Sequence, residues 1–394
     1  MKQMFDVRAG SPLCYVGLNP TAPNLATVSA RDGEVLLWTW EDGAAPRVLA
    51  ATGWGSEEVR IGWPPKANAA EWRGGRLVHR TVAVTFNQTG EQVGIIGPNS
   101  QVQVCQLPRL GVVGAFGEPG QYRSIAFDGS GTRLIADGWA TLGQDVADAT
   151  YRMRGPPTYH ISLFDMATGA LVNSVVPGGW GALALHPDGN LGASSSNGQG
   201  LTKVRFMRVG DALRLCNVTL ASALNIEGLV FSPNGTSLAL FGEEDYFAVE
   251  VVELPSLRLK FDAVWRLPPG YRRRLAIPRQ CVYSADSRNI FCPLPTGEIV
   301  QLDAESGAER QRWMAHDLGF HTLSIRQDRG ALLSGGMDGT IKIWDVGLAV
   351  ERREVRAADP GDAFESMYGL ADSSGGNGPA ETVEVSHTEV TMRD

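Results

Sequence analysis

A unit of roughly 40 residues recurs along this chain, and that period restricts the fold more than any other feature. Its sharpest copy closes the series as SGGMDGTIKIWDV, residues 334–346. Small residues lead to a turn at Asp338-Gly339. Apolar and polar residues then alternate through Ile341, Lys342 and Ile343 to Trp344-Asp345. Alternation with a period of two marks a half-buried strand, and Asp-Gly marks a tight hairpin turn. The preceding HTLSIRQDRGALLSGG supplies two further apolar strands around a polar turn at residues 327–330.

Seven copies fit this template, two with Trp and five divergent, and their first strands end near Leu18, Phe86, Phe127, Leu185, Phe231, Tyr283 and Ile325. The gaps between these anchors are 68, 41, 58, 46, 52 and 42 residues. The short gaps match the period of about 40–45 residues typical of a propeller blade, and inserted loops account for the long ones. Trp38 repeats the place of Trp344, whereas Cys105, Phe164 and Leu302 stand there in other copies. A small antiparallel sheet of this kind cannot bury both faces alone, but a closed ring of them can. The expectation is an all-β chain, a seven-bladed β-propeller of four-stranded antiparallel blades over residues 1–356. It carries inserts at about 51–80 and 138–158, and an acidic tail at 357–394.

FSPNG, LHPDG, DGTIKIWD and LFDMATG resemble the WD-repeat β-propeller family over about residues 4–356. The likeness is strongest in the last copy and good in the first. Blades of that family often hold a hydrogen-bonded set of His, Ser or Thr, Asp and Trp. The matching positions here are His316, Ser334, Asp338 and Trp344, and the resemblance implies a structural role for them. Elsewhere Thr39, Gln106 and Arg208 stand where the Asp of Trp-Asp would be, so apolar packing must carry more of those blades. Such rings usually close by lending one terminus to the other terminus's blade. Residues 4–8 (MFDVR) are expected beside the last copy, with residues 350–355 (VERREV) as competitor.

Composition agrees with a turn-rich globular chain: 43% of residues are hydrophobic, 20% are charged, and 47 of 394 are Gly. Tight turns use Gly, while helices avoid it. No apolar run is long enough to span a membrane, and MKQMFDVRAGSP lacks an export signal's apolar core. A cytoplasmic location is expected, with the nucleus left open. Cys14, Cys105, Cys216, Cys281 and Cys292 are widely spread and form no C-x-x-C pair, so buried free thiols are expected. The net charge is −8. Residues 357–394 hold eight acids and one base, a net of −7, so the body is near neutral. Neither part carries the basic footprint of a nucleic-acid binder.

Function in this architecture lies where the repeat is broken. In residues 53–75, Trp54, Trp63 and Trp72 are nine residues apart, and Trp72 adjoins Arg73. They read either as an aromatic contact surface or as a loop tucked onto the propeller's own flank. The loop at 137–158 carries Trp139 and reads as a partner-binding lip or a variable ordered loop. In RLPPGYRRRLAIPR, residues 266–279, Arg272, Arg273 and Arg274 could grip an anionic group by paired hydrogen bonds. The position resembles that of the Phe- or Leu-Arg-Arg-Gly motif of phosphoinositide-binding propellers, but Arg274 replaces the Gly. The loop could instead be a plain solvated surface, or receive an acidic segment, including the chain's own tail. In that tail, residues 373–379 have linker composition, and TVEVSHTEV (382–390) alternates like a strand that could add to a sheet edge. The plainer alternative is a disordered solvating tail.

No glycine-rich phosphate loop, G-x-S-x-G or metal-spaced His pair is present. No catalytic residue, metal or cofactor is expected. The reading is a non-catalytic protein–protein interaction scaffold, a platform within a multiprotein complex. Its alternatives are a phosphoinositide-binding propeller using the cluster at 271–274, and a propeller enzyme with its site at the central channel.

Overall fold

The computed structural model describes residues 2–8, 13–22, 24–29, 35–39, 47–48, 71–73, 76–78, 83–96, 102–107, 111–117, 122–128, 130–140, 158–177, 181–196, 201–243, 246–266, 281–317, 320–326, 330–336, 338, 340–346, 365–367, 381–384 and 392–393. Strand β1 (Lys2–Arg8) precedes a sheet of β2 (Leu13–Leu18), β3 (Asn24–Ser29), β4 (Val35–Thr39) and β5 (Arg47–Val48). A separate two-stranded hairpin, β6 (Glu71–Arg73) and β7 (Arg76–Val78), follows. The next sheet holds β8 (Ala83–Phe86), β9 (Gln92–Ile96), β10 (Val102–Gln106) and β11 (Gly111–Phe116). After it come β12 (Tyr122–Phe127), β13 (Arg133–Ala140), β14 (Thr158–Asp165) and β15 (Leu171–Val175). Then come β16 (Leu183–Leu185), β17 (Leu191–Ser196), β18 (Thr202–Val209) and β19 (Leu213–Ser222). The following sheet holds β20 (Asn225–Phe231), β21 (Ser237–Glu243), β22 (Tyr246–Glu253) and β23 (Leu259–Arg266). The series ends with β24 (Val282–Tyr283), β25 (Asn289–Pro293), β26 (Glu298–Asp303) and β27 (Glu309–Met314), then β28 (Phe320–Arg326), β29 (Ala331–Gly336) and β30 (Thr340–Asp345).

Each sheet apart from the β6–β7 hairpin is a blade: its strands pair antiparallel in sequence order, and its first strand lies innermost. The innermost strands β2, β8, β12, β16, β20, β24 and β28 touch in cyclic order, β28 returning to β2. The sequence anchors mark the ends of these strands, from Leu18 at the end of β2 to Tyr283 at the end of β24. Only β28 runs one residue beyond its anchor, to Arg326. The ring is closed by the N-terminus, because β1 pairs antiparallel with β30 from Lys2↔Asp345 to Arg8↔Thr340. The competing stretch at 350–355 lies outside the described residues.

The apolar core occupies the wedges between blades. Ile135, Ile161 and Leu163 of one blade pack on Met207, Val209 and Leu213 of the next. Phe291 and Ile299 likewise pack with Leu323, Leu332 and Trp344. This explains why divergent copies keep the fold. The second-strand residues Val93, Leu134, Gly192, Leu238, Ile290 and Leu332 pair in register with Cys105, Phe164, Met207, Val252, Leu302 and Trp344. All six of those third-strand residues are buried. The position requires an apolar side chain under the neighbouring blade, and the indole is one way to fill it.

One expectation is corrected here. Trp139 was assigned to a projecting loop beginning at residue 137. Strand β13 instead continues through it, with Trp139 opposite Tyr159 and Ala140 opposite Thr158. Each added residue pair satisfies backbone groups that would otherwise need water, so the ladder extends as far as both strands allow.

Candidate interaction surfaces

The last blade carries a continuous polar chain. His316, in the connection after β27, is fully buried. Its Nδ1 lies 3.2 Å from both carboxylate oxygens of Asp338 and 2.9 Å from Thr340 Oγ1. Its Nε2 lies 2.8 Å from Ser334 Oγ. Trp344 Nε1 donates to the same Oγ at 3.0 Å. Thr340 donates to Asp338 Oδ1 from its backbone N–H at 2.9 Å and from its hydroxyl at 2.6 Å. A carboxylate only accepts, so Nδ1 carries the imidazole proton. The chain therefore runs from the Trp344 N–H to the Ser334 oxygen, from the Ser334 hydroxyl to His316 Nε2, and from Nδ1–H to Asp338. Burial alone would raise the Asp338 carboxyl, but the bonds from His316 and Thr340 outweigh it and hold it well below the usual carboxylate range. Every member of this chain holds another, which suits a clamp between β29, β30 and the preceding connection.

A second polar system links the blades to one another. The residue opening the turn after each innermost strand is buried at Asn19, Asn87, Asp128, His186, Ser232 and Ser284. Asn19 Nδ2 donates to Gly90 O of the next blade at 2.8 Å, and Thr21 Oγ1 donates to Thr89 O at 2.7 Å. His186 Nδ1 accepts from the Asp188 N–H at 3.2 Å, so its Nε2 carries the proton and donates to Gly235 O at 3.1 Å. The Asn234 N–H donates to Ser287 Oγ at 3.0 Å. The buried guanidinium of Arg326 donates from one terminal nitrogen to Thr21 O at 3.2 Å, stitching the last blade to the first. The sequence places these residues at turns but carries no signal of the bonds they make to the next blade, and the burial of Arg326 is visible only in the structure.

The described cavity on this side of the ring is shallow, about 250 Å³, and is lined by Leu18, Val84, Phe86, Asn87, Gln88 and Ser324. It gathers no titratable side chain. Among the described residues, no group of three or more His, Cys, Asp or Glu side chains could hold a metal. No helix among them is long and apolar enough to cross a membrane. The described thiols Cys105, Cys216, Cys281 and Cys292 are buried and form no disulfide, and burial pushes Cys216 up to about 12.

The outer surface is different. Val112 and Val113 on β11, and Leu171 and Val172 on β15 with Val176 just beyond it, are exposed. Two blades carry a fifth strand from the C-terminal segment. Strand β31 (Glu381–Glu384) pairs parallel with β19, and β32 (Met392–Arg393) pairs parallel with β23. Of the stretch TVEVSHTEV (382–390), residues 382–384 add to a sheet edge in a strand that begins at Glu381, and residues 385–390 lie outside the described residues.

The residues singled out as partner contacts are not brought together among the described positions. Trp72 and Arg73 lie on β6, opposite Leu77 and Arg76. Trp139 lies on β13. Trp54, Trp63, Arg272, Arg273 and Arg274 lie outside the described residues.

Comparison with known proteins accords with this architecture. Residues 308–345 match the family model "WD domain, G-beta repeat". The chain is 26% identical over 199 residues to transducin-like enhancer protein 2 of Mus musculus, covering 50% of this chain and 24% of that protein. It is 27% identical over 165 residues to protein groucho of Drosophila melanogaster, covering 42% and 21%. It is 29% identical over 123 residues to a THO complex subunit 6 homolog of Danio rerio, covering 30% and 38%. The matched stretch thus spans well under half the length of each of these relatives. Closed ring, N-terminal closing strand and the His–Ser–Asp–Trp clamp together define a β-propeller. The match at residues 308–345, these relatives and the architecture support the WD-repeat family of such propellers.

Proposed function

We propose that this protein is a non-catalytic interaction scaffold, a rigid ring that offers faces and blade edges to protein partners within a larger assembly. The observation that carries this reading is the division of labour among its side chains. The buried polar groups at His316, Ser334, Asp338, His186 and Asn19 hold turns and blades together. Apolar side chains at Val112, Val113, Leu171, Val172 and Val176 face outward on outer strands. One relative is named as the subunit of a complex, which supports the same reading. We also infer a ring of seven blades over residues 1–356, supported by the cycle of contacts from β2 through β28 and back, and a cytoplasmic location.

The test is native affinity purification of the full chain, followed by size-exclusion chromatography and mass spectrometry. Stoichiometric protein partners are expected, and their loss in a Val112→Glu/Val172→Glu variant would locate the contact. Elution as a lone monomer from native extract would sink the scaffold reading. Class averages from negative-stain electron microscopy that lack sevenfold symmetry would sink the blade count.

A further inference from the structure

Most blades of a propeller end in an outer strand whose far edge exposes backbone N–H and C=O groups. In the blade of β16–β19 that edge is covered from within the chain. Residues 218–221 of β19 pair in parallel with β31, Val218↔Glu381 through Ala221↔Glu384. Val383 is half-buried against a core that includes Val218 and Leu220, while Thr382 is exposed. One blade further round, Met392 and Arg393 pair with Val264 and Trp265.

The covered blade is locally basic. Residues 201–222 hold Lys203, Arg205, Arg208 and Arg214 against one acid, Asp211, a net of +3 in a near-neutral body. The strand that sits on it comes from the segment with a net of −7. Register sharpens the match. Glu384 falls opposite Ala221, which is opposite Lys203, and Thr382 falls opposite Thr219, which is opposite Arg205. On the alternate row, Val383 follows Leu220 and Val204 toward the core. The edge thus selects an extended segment with acidic or hydroxyl residues at alternate positions and a β-branched residue between them.

The resident strand is short for its site. β19 is ten residues long, and β31 pairs with only four of them. Four pairs must offset the backbone ordering of the same residues, so the contact depends on its tether. A flexible linker supplies a local concentration on the order of millimolar, which a longer or more acidic segment can overcome. Residues 373–379, Ser-Ser-Gly-Gly-Asn-Gly-Pro, have such a linker's composition.

We propose that the outer edge of β19 is a docking site for an extended acidic segment of a partner protein. That segment enters parallel to β19, and Glu381–Glu384 is the resident cover it displaces. This rests on the scaffold reading and names one of its surfaces and the chemistry of the segment that fits there.

The experiment uses the full chain throughout. The probe is a fluorescein-labelled peptide of residues 379–387, Pro-Ala-Glu-Thr-Val-Glu-Val-Ser-His, read by fluorescence anisotropy. In the Val383→Asp variant the cover is released, and the probe is expected to bind about tenfold or more tighter than to the wild-type chain. Adding Lys203→Glu and Arg205→Glu should abolish that gain, as should raising salt from about 50 mM to about 500 mM. Amide exchange at residues 218–221 should quicken in Val383→Asp and slow again when the probe is added. Thr382→Pro, which removes a backbone donor instead of an apolar contact, should behave like Val383→Asp. Circular dichroism melting separates release of the cover from loss of fold. Equal affinity for wild type and both variants, no binding to either variant, or tighter binding of single-stranded poly(U) RNA than of the peptide would each overturn the proposal. The scaffold reading stands or falls separately, on co-purification of the unmodified chain.

Discussion

Replacing Ser334 with Ala tests the clamp in the last blade at its centre. Ser334 Oγ is fully buried and serves two neighbours at once, accepting from Trp344 Nε1 at 3.0 Å and lying 2.8 Å from His316 Nε2. Ala leaves an indole N–H and an imidazole nitrogen without that oxygen, in a site closed to water. Each orphaned group costs about 1–3 kcal/mol, and the lost contacts of one oxygen add little, so the expected destabilisation is roughly 2–4 kcal/mol. In a chain of this size that is a fall in melting temperature of about 2–5 °C. Urea denaturation followed by far-ultraviolet circular dichroism measures it directly. The double variant Ser334→Ala/Trp344→Phe separates the causes. If the orphaned indole N–H carries part of the cost, the double variant should be about 1–2 kcal/mol less destabilised than the sum of the singles. A single-variant loss below about 0.5 kcal/mol, or strict additivity in the double, would show that the hydrogen bonds do not hold this blade together.

Further outcomes follow from the same geometry. Gly235 has φ +74°, and a Cβ there would sit 2.2 Å from His186 Nε2. Gly235→Ala should therefore destabilise by about 2–4 kcal/mol in a thermal melt, through backbone strain and the displaced inter-blade bond together. Asp338 is held below the ordinary carboxylate range. Its contribution is therefore present above about pH 4 and is lost as pH falls further, and Asp338→Asn should flatten the acid limb of a stability–pH curve while leaving its slope between about pH 5 and 7 unchanged. Cys216, pushed up to about 12 and buried, should resist a thiol reagent in the folded chain and react once urea unfolds it. Deleting residues 1–8 strips β1 from β30 and leaves a long apolar edge open, so the chain should aggregate on size-exclusion chromatography; an unchanged monomer peak would refute the closing role.

The anchors, the turn residues and the alternation in TIKIWD are properties of neighbours in sequence. Strand period and turn chemistry act over a few residues, so the antiparallel blades were legible before any coordinates. The clamp was legible too, because its four members lie within one repeat and resemble a known pattern. Trp139 was misplaced because a ladder's length depends on whether its partner strand continues, and Tyr159 lies twenty residues away.

What the sequence determined by itself is the unit: three or four short strands, their turns, and a face that must be covered by another unit. What only the tertiary structure decided is everything that joins units far apart in the chain. Arg326 meets Thr21 O across 305 residues, Asn19 meets Gly90 O across 71, and Glu381–Glu384 finds the edge of β19 rather than any other. These contacts depend on which blade edge is left open, which charge lies beneath it, and how far the linking chain reaches. None of these quantities is local, so no period or motif carries them, and the ring has to be closed before they exist.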